Sequence, residues 1–176
     1  MRLRRAPAFA LAAILAAPTL STAAPHDHGA AQLQLALEGD VLTMRLQLPQ
    51  DGLVGFEHAP RTPAQRQALA DALARLRDPA AVVIEPDAAA RCLLTRTDVK
   101  DPHATPGAPA AGGDAHADIE AAFVFRCARP DQLGTVRVGL LEAFARLKRV
   151  QAVVATPQGQ RKLTLRRPAR ELKLPR

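Results

Sequence analysis

The segment Gln32–Leu48, with the sequence QLQLALEGDVLTMRLQL, contains two runs in which apolar and polar residues alternate. The two runs are separated by the pair Gly39-Asp40. Alternation of this kind predicts a strand with one buried face, and a Gly-Asp pair is typical of a tight turn between two strands. The segment therefore predicts an antiparallel hairpin. Its apolar members are Leu33, Leu35, Leu37, Leu42, Met44, Leu46 and Leu48.

The segment Thr62-Pro63-Ala64-Gln65 carries the signals that begin a helix. It combines an N-cap hydroxyl, a proline at the first helical position and the glutamine of a capping box. Asp78-Pro79 ends the pattern, because the residue before a proline avoids the helical conformation. The sequence therefore predicts a helix over about Pro63–Arg77. Leucines follow the cap at helical spacing, at Leu69, Leu73 and Leu76.

Other segments predict further strands and a second helix. Val82–Ile84 is a short strand candidate, and the apolar residues of Pro130–Lys148 predict a mostly helical segment. Val150–Thr156 and Lys162–Arg166 flank a Pro-Gln-Gly turn and predict a second hairpin. Pro49–Pro60 is predicted to be an irregular loop whose apolar residues pack against the body of the domain.

Two more strand candidates, Arg91–Val99 and Ile119–Cys127, flank a stretch with no apolar periodicity. That stretch, residues 100–117, is rich in Ala, Pro, Gly, Asp and His and predicts a flexible, histidine-containing surface loop. Together the elements predict an α+β fold, with a mostly antiparallel sheet built from hairpins and two helices packed on one face.

Residues 1–24 have the three parts of a secretory signal peptide. Three arginines within the first five residues precede an apolar stretch, and small residues follow as far as Ala24. The apolar stretch is shorter than the roughly 20 residues that a membrane-spanning helix requires. We therefore expect residues 25–176 to form a single exported domain without a transmembrane segment.

The positive charge of the chain is concentrated near its C-terminus. The three signal arginines account for part of the net charge of +7, so +4 (7 − 3) remains for residues 25–176. The chain contains no Trp or Tyr to stack on bases, and with export this argues against a nucleic-acid partner. This basic C-terminal tail predicts a solvent-exposed edge strand whose cations prevent it from pairing with other chains. The alternative is contact with an anionic membrane surface. Its cations are Arg161, Lys162, Arg166, Arg167, Arg170, Lys173 and Arg176.

Cys92 and Cys127 are the only cysteines of the chain. An even number of cysteines in an oxidising compartment predicts a disulfide, and a loop of this length corresponds to roughly 3 to 4 kcal/mol of stabilisation in the chain-entropy model. A metal-thiolate pair is the alternative. It is disfavoured because Phe123, Phe125 and Cys127 alternate onto one strand face, which places the Cys127 sulfur among core residues.

All five histidines fall outside the predicted strands and helices. Imidazole is the commonest transition-metal ligand at neutral pH, and histidines beside carboxylates suit Zn²⁺. A tetrahedral ion needs about four ligands, so tight binding requires segments distant in sequence to meet. Alternatively, the histidines are ordinary loop residues, and His58 hydrogen-bonds its own loop or the following helix N-terminus. The candidate metal ligands are His26, His28, His58, His103, His116 and Asp118.

Catalytic motifs are absent from the sequence. It contains no G-x-S-x-G elbow and no Gly-rich phosphate loop after a strand. The histidines also lie on segments predicted to be mobile, whereas a hydrolytic metal site needs a rigid general base. We therefore expect a protein that is not an enzyme.

The combined pattern resembles the ZrgA-like family. The resemblance rests on His26–Ala31 (HDHGAA), Leu53–Pro60 (LVGFEHAP), Arg91-Cys92, Cys127 and a closing hairpin with Gln158–Gln160. The GFEHAP stretch is the most specific of these parts. The resemblance covers essentially all of residues 25–176.

This resemblance implies a periplasmic zinc-binding protein of a Gram-negative bacterium, which captures Zn²⁺ as an accessory to a zinc importer. It assigns His26 and His28 to an N-terminal motif, His58 to a central motif, and His103 and His116 to a histidine-rich loop. Many members carry long His-Asp runs in that loop, whereas this chain has few such residues there. The departure favours a single site over high-capacity buffering.

The preference for zinc over copper or nickel rests on the resemblance, because histidine-carboxylate sites bind all three metals. The competing interpretation is a structural or interaction module of the bacterial envelope. In that case the basic tail and the GFEHAP loop would form a partner surface, and the histidines would be incidental.

Overall fold

The computed structural model describes residues 29–104 and 117–175, which form two sheets and three α-helices, with two short 3-10 turns besides. The strands of this part of the chain are β1 (Ala30–Glu38), β2 (Val41–Pro49), β3 (Ile84–Pro86), β4 (Cys92–Lys100), β5 (Asp118–Cys127), β6 (Thr135–Val138), β7 (Arg149–Thr156), β8 (Gly159–Leu165) and β9 (Glu171–Lys173). Its α-helices are α1 (Gln50–Val54), α2 (Pro63–Arg77) and α3 (Leu140–Ala143).

The larger sheet has the strand order β4-β5-β2-β1-β7-β8, and the smaller has the order β3-β6-β9. Neighbouring strands run antiparallel except β1 and β7, which are parallel. The predicted α+β class with a mostly antiparallel sheet is confirmed in these broad terms, and so are the hairpins β1–β2 and β7–β8. The prediction that helices pack on one face of the sheet stays a prediction.

One face of the larger sheet is covered by the core and the other is open to solvent. Leu35 and Met44 lie directly opposite each other in β1 and β2, and each is at most 1% exposed. Gln34 and Arg45, also opposite each other, point away from that core and are exposed. Burying a leucine or methionine side chain contributes roughly 1.5–3 kcal/mol, so the alternation fixes which face is buried.

Helix α2 has the predicted bounds and the predicted cap. The Thr62 hydroxyl accepts a hydrogen bond from the backbone N–H of Gln65 at 3.1 Å. The Gln65 side-chain oxygen in turn accepts from the backbone N–H of Thr62 at 3.2 Å. This reciprocal box satisfies amide groups that a helix start leaves without partners. The buried side of the helix consists of Leu69, Ala72, Leu73 and Leu76.

The predicted disulfide between Cys92 and Cys127 is present. The two cysteines are direct cross-strand partners at the first pair of β4 and the last pair of β5, and Cys127 is 2% exposed. Since each sulfur is bonded to the other, neither is a thiolate ligand for a metal ion. The metal-thiolate alternative is therefore excluded in this oxidised state.

The prediction of a mostly helical Pro130–Lys148 is wrong. The segment contains a 3-10 turn, strand β6 and the four-residue helix α3, followed by an irregular stretch. Val136 and Val138 alternate with Arg137, so the local pattern has the period of a strand, and Gly139 separates it from α3. The longer apolar spacing that suggested one helix comes from several short elements that all face the core.

Three further segments differ from the sequence interpretation. The irregular loop predicted for Pro49–Pro60 begins with helix α1. The strand predicted at Val82–Ile84 begins only at Ile84, because Val83 has a φ of 51° that no regular strand allows. The basic tail contributes a third strand, β9, to the smaller sheet, and β8 is the expected edge strand of the larger one.

Several sequence predictions fall outside the described residues. These are the signal peptide (residues 1–24), His26, His28, His116 and most of the predicted loop at residues 100–117. Among the residues that are described, no helix has the length and apolar character needed to cross a membrane.

Candidate metal centre

Segments that carry the predicted ligands meet at one end of the larger sheet, which we call the loop end. Pro49, the last residue of β2, pairs with Asp118, the first residue of β5. Ala30 begins β1 at this end, and Lys100 ends β4 there beside Glu120. The sequence interpretation placed the ligands in separate loops. The sheet register brings the described ends of those loops to one place.

Gln50 links these loops, and it is 0% exposed. Its backbone N–H donates to the carbonyl oxygen of Ala117 at 3.0 Å. Its side-chain nitrogen donates to the carbonyl oxygens of Phe56 and His58, both at 3.1 Å. Its side-chain oxygen lies 2.8 Å from Nε2 of His103. Sequence reasoning missed Gln50, because a glutamine after a proline carries no local signal of such a role.

The contacts of Gln50 fix the proton on the His103 ring. A carbonyl oxygen only accepts hydrogen bonds, so the two carbonyl partners identify the Gln50 nitrogen and leave its oxygen facing His103. That oxygen also only accepts, so Nε2 of His103 must carry the hydrogen. A neutral His103 then has its lone pair on Nδ1, the nitrogen free to bind a metal ion.

His58 has the opposite arrangement. Its Nδ1 lies 2.8 Å from the carbonyl oxygen of Ala59, so Nδ1 donates and Nε2 keeps the lone pair. The ring also stacks on Phe56, with the ring centroids 5.2 Å apart and an interplanar angle of 27°. His58 is exposed, so Nε2 is accessible from solvent. The hydrogen bond to its own loop, which the sequence interpretation offered as an alternative role, is compatible with metal binding.

The shape of the GFEHAP segment depends on Gly55. This residue ends α1 with a φ of +87°, and its N–H donates to the carbonyl oxygen of Asp51 at 2.9 Å. A Cβ atom there would lie 3.0 Å from the Arg146 guanidinium. Gly55 therefore provides both a left-handed turn and room for Arg146. One turn earlier, Gly52 packs on the Leu147 side chain, so α1 sits on the segment 144–148.

The segment 144–148 is held in turn by Arg167. One guanidinium nitrogen donates to the carbonyl oxygen of Leu147 at 2.9 Å, and the other donates to the carbonyl oxygen of Leu141. Further contacts reach the carbonyl oxygens of Phe144 at 3.3 Å and Ala145 at 3.2 Å. Arg167 therefore links the carbonyl oxygen of Leu141, in α3, to carbonyl oxygens of the irregular segment that follows the helix.

We expect Arg167→Met to lower the free energy of unfolding by about 2 kcal/mol, because carbonyl oxygens that now accept from a charged donor would lose it. Urea unfolding of the metal-free protein measures the change. The matched control is Arg166→Met, which alters the exposed neighbouring arginine and should stay within about 0.5 kcal/mol. Equal losses from the two variants would contradict the role assigned to Arg167.

Asp118 also lies at the loop end, where its carboxylate accepts a hydrogen bond from the Gln47 side chain at 3.1 Å. Within residues 29–104 and 117–175, no cluster of three His, Cys, Asp or Glu side chains has the geometry to hold a metal ion. Of the predicted ligands, the structure brings His58 and His103 to Gln50 and places Asp118 nearby in the sheet register. The remaining three histidines are outside the described residues.

Comparison with curated proteins gives no match. A family model described as ZrgA family zinc uptake protein matches residues 25–174, which is most of the chain. Its match includes both the GFEHAP segment and the His103 segment that meet at Gln50. The chain therefore belongs to the ZrgA family of zinc uptake proteins.

Proposed function

We propose that this protein captures Zn²⁺ in the periplasm, at the loop end of its larger sheet, and passes it towards zinc uptake. The observation that carries the proposal is the Gln50 network, which joins the His58 segment to the His103 segment. In each histidine one ring nitrogen donates a hydrogen bond, Nδ1 in His58 and Nε2 in His103, and the other nitrogen keeps its lone pair. Such hydrogen bonds orient an imidazole for metal binding. Family membership supports zinc as the cargo, and the disulfide supports an oxidising compartment.

In this proposal His103 binds through Nδ1 and His58 through Nε2. Zn²⁺ needs about four ligands, so other groups must complete the site. His28 precedes Gly29, where the described chain enters the loop end, and His116 precedes Ala117, whose carbonyl oxygen accepts from Gln50. We propose that His26, His28, His116 and Asp118 supply the remaining ligands.

The same arrangement favours binding over catalysis. The ring nitrogens of His58 and His103 that could act as bases are the ones we assign to the metal. A cargo site must also release its ion, which a site with ligands from several loops allows one ligand at a time. We propose a carrier that is not an enzyme and that serves a periplasmic zinc transporter.

The first experiment is calorimetric titration of the metal-stripped protein, without residues 1–24, with Zn²⁺ at neutral pH. We expect binding at micromolar concentrations or tighter. His103→Ala, His58→Ala and the double change of His26 and His28 to Ala should each weaken binding at least tenfold, since each removes ligands. The matched control is Asp78→Asn, a carboxylate at the far end of α2. Unchanged affinity in every histidine variant would refute the proposed site.

The competing function is an interaction module of the envelope that uses the basic tail. The structure gives this alternative less support, because two of its three central arginines have partners within the chain. Arg167 binds carbonyl oxygens of the segment 141–147, and Arg170 pairs with Glu142 at 2.9 Å. Replacing these arginines would therefore disturb the fold as well as any partner surface.

A further inference from the structure

The open face of the larger sheet contains a depression of about 490 Å³, which we call the sheet groove. This volume is within the range of small-molecule sites. Its wall includes exposed side chains from β1, β2, β4 and β5, and the buried residues Leu46 and Ala121 also line it. Those that the argument uses are Gln32, Gln34, Arg45, Gln47, Lys100 and Glu120.

Arg45 is one of the residues that line the groove. It lies opposite Gln34 of β1 on one side and opposite Ala122 of β5 on the other. Cross-strand partners have Cβ atoms roughly 5 Å apart, so the Gln34 amide can bind the same ligand as the guanidinium. The methyl group of Ala122 leaves open space beside Arg45. A planar guanidinium with free space beside it is suited to bidentate recognition of a carboxylate.

The charges of the groove leave Arg45 as its excess cation. Glu120 pairs with Lys100 at 2.7 Å, and Asp98 lies 3.9 Å from Arg96. The hydrogen bond and the attraction of Glu120 raise the pKa of Lys100, which therefore stays charged. Within the described residues, no carboxylate pairs with Arg45. The groove carries a net charge of +1 (3 − 2) from its arginines, lysine, aspartate and glutamate.

The groove is linked to the candidate metal centre through one of its wall residues. Gln47 is part of its wall, and the same side chain donates to the Asp118 carboxylate at 3.1 Å. Lys100 and Glu120 lie at the loop end as well. An anion held by Arg45 would extend along β2 towards the residues that we assign to zinc.

We propose that the sheet groove binds a small polycarboxylate, with one carboxylate on Arg45, and that the protein takes up Zn²⁺ in part as a complex with such a ligand. The proposed carboxylate site is supported by the structure of the groove alone. The delivery of zinc rests in addition on the proposed function. A small chelator fits this groove because a carboxylate that does not bind the metal can pair with Arg45. The part of the chelator that holds the metal would then face the loop end.

The test uses citrate as the probe and calorimetry at low ionic strength on the metal-free protein. We expect citrate to bind, and Arg45→Gln to weaken it about tenfold or more, because it removes the charged bidentate donor. The matched control is Lys162→Gln. Lys162 is paired with Val153, which is paired with Gln34, so it lies in the same row across the sheet as Arg45 but outside the groove. Lys162→Gln should change citrate binding less than twofold.

Glu120→Gln provides a second, independent test of citrate binding. Removing this carboxylate frees Lys100 and should tighten citrate binding several-fold, whereas a merely structural change would weaken it. No heat with citrate, or equal losses in Arg45→Gln and Lys162→Gln, would overturn the proposal. Titration of Arg45→Gln with Zn²⁺ alone should match the unaltered protein, so failure of the groove and failure of the metal centre give different results.

Discussion

Replacing Gln50 with leucine is expected to lower the free energy of unfolding by roughly 3–5 kcal/mol. Leucine is close to glutamine in volume and keeps the backbone bond to Ala117. It leaves the carbonyl oxygens of Phe56 and His58 and the Nε2–H of His103 without their partner. These bonds are partly buried, and a buried donor or acceptor that loses its partner costs about 1–3 kcal/mol.

Urea unfolding of the metal-free protein measures this loss without any contribution from zinc. Gln67→Leu is the matched control, since Gln67 is exposed on α2 and bonds only Asp71 among the described residues. The control should stay within about 0.5 kcal/mol. If Gln50→Leu were equally mild, the two loops would not depend on Gln50. We also expect the variant to bind Zn²⁺ at least tenfold more weakly under native conditions, because His103 loses the partner that fixes its ring.

The hairpin β1–β2 and the helix α2 could be predicted because their signals are local. The alternation on both sides of Gly39-Asp40 and the capping box at Thr62 each lie within a few residues of the element that they specify. Elements of only four residues, such as β6 and α3, are too short to carry such local signals. In β6, the pair Val136 and Val138 is too short a pattern to outweigh the apolar spacing of the residues that follow. The strand depends on pairing with β3 on one side and β9 on the other.

Candidate ligands could be named from the sequence, and they stay predictions, whereas the contacts that bring two of them to Gln50 could not be foreseen. His58 and His103 are visible as loop histidines, and the resemblance assigns both to metal binding. Their meeting depends on Gln50, which is 53 positions from His103 in sequence and has no motif of its own. The parallel pairing of β1 with β7 is also non-local, and it carries Lys148, whose N–H donates to Gly29, to the loop end. Such contacts depend on tertiary packing, and the spacing of apolar residues along the sequence does not reveal them.

The hairpin β4–β5 is closed in two different ways at its two ends. The disulfide joins its strands at the Cys92–Cys127 pair, whereas the connection between Lys100 and Asp118 contains His103 and is anchored through Gln50. Eight residues of strand, at about 3.3 Å each, separate these ends by roughly 26 Å. Metal binding should therefore depend on the loop end, where Gln50 and His103 lie, and not on the disulfide at the other end.

Changing both Cys92 and Cys127 to alanine is expected to lower the free energy of unfolding by roughly 3–4 kcal/mol, because the unfolded chain regains the freedom of a loop with a sequence separation of 35. Strand β4 is the edge of its sheet and pairs only with β5 in the described structure, so its neighbour cannot replace the lost link. Urea unfolding measures the loss.

Zinc titration of the same double variant, at a temperature where it is folded, separates the two ends of the hairpin. We expect its affinity for Zn²⁺ to remain within about threefold of the unaltered protein, since the loop end is roughly 26 Å from the disulfide. The opposite result is expected for His103→Ala. This variant should bind Zn²⁺ more weakly but keep the contribution of the disulfide to the free energy of unfolding. A large loss of zinc affinity in the folded cysteine variant would show that the disulfide positions the ligands, and it would refute the separation argued from the β4–β5 register.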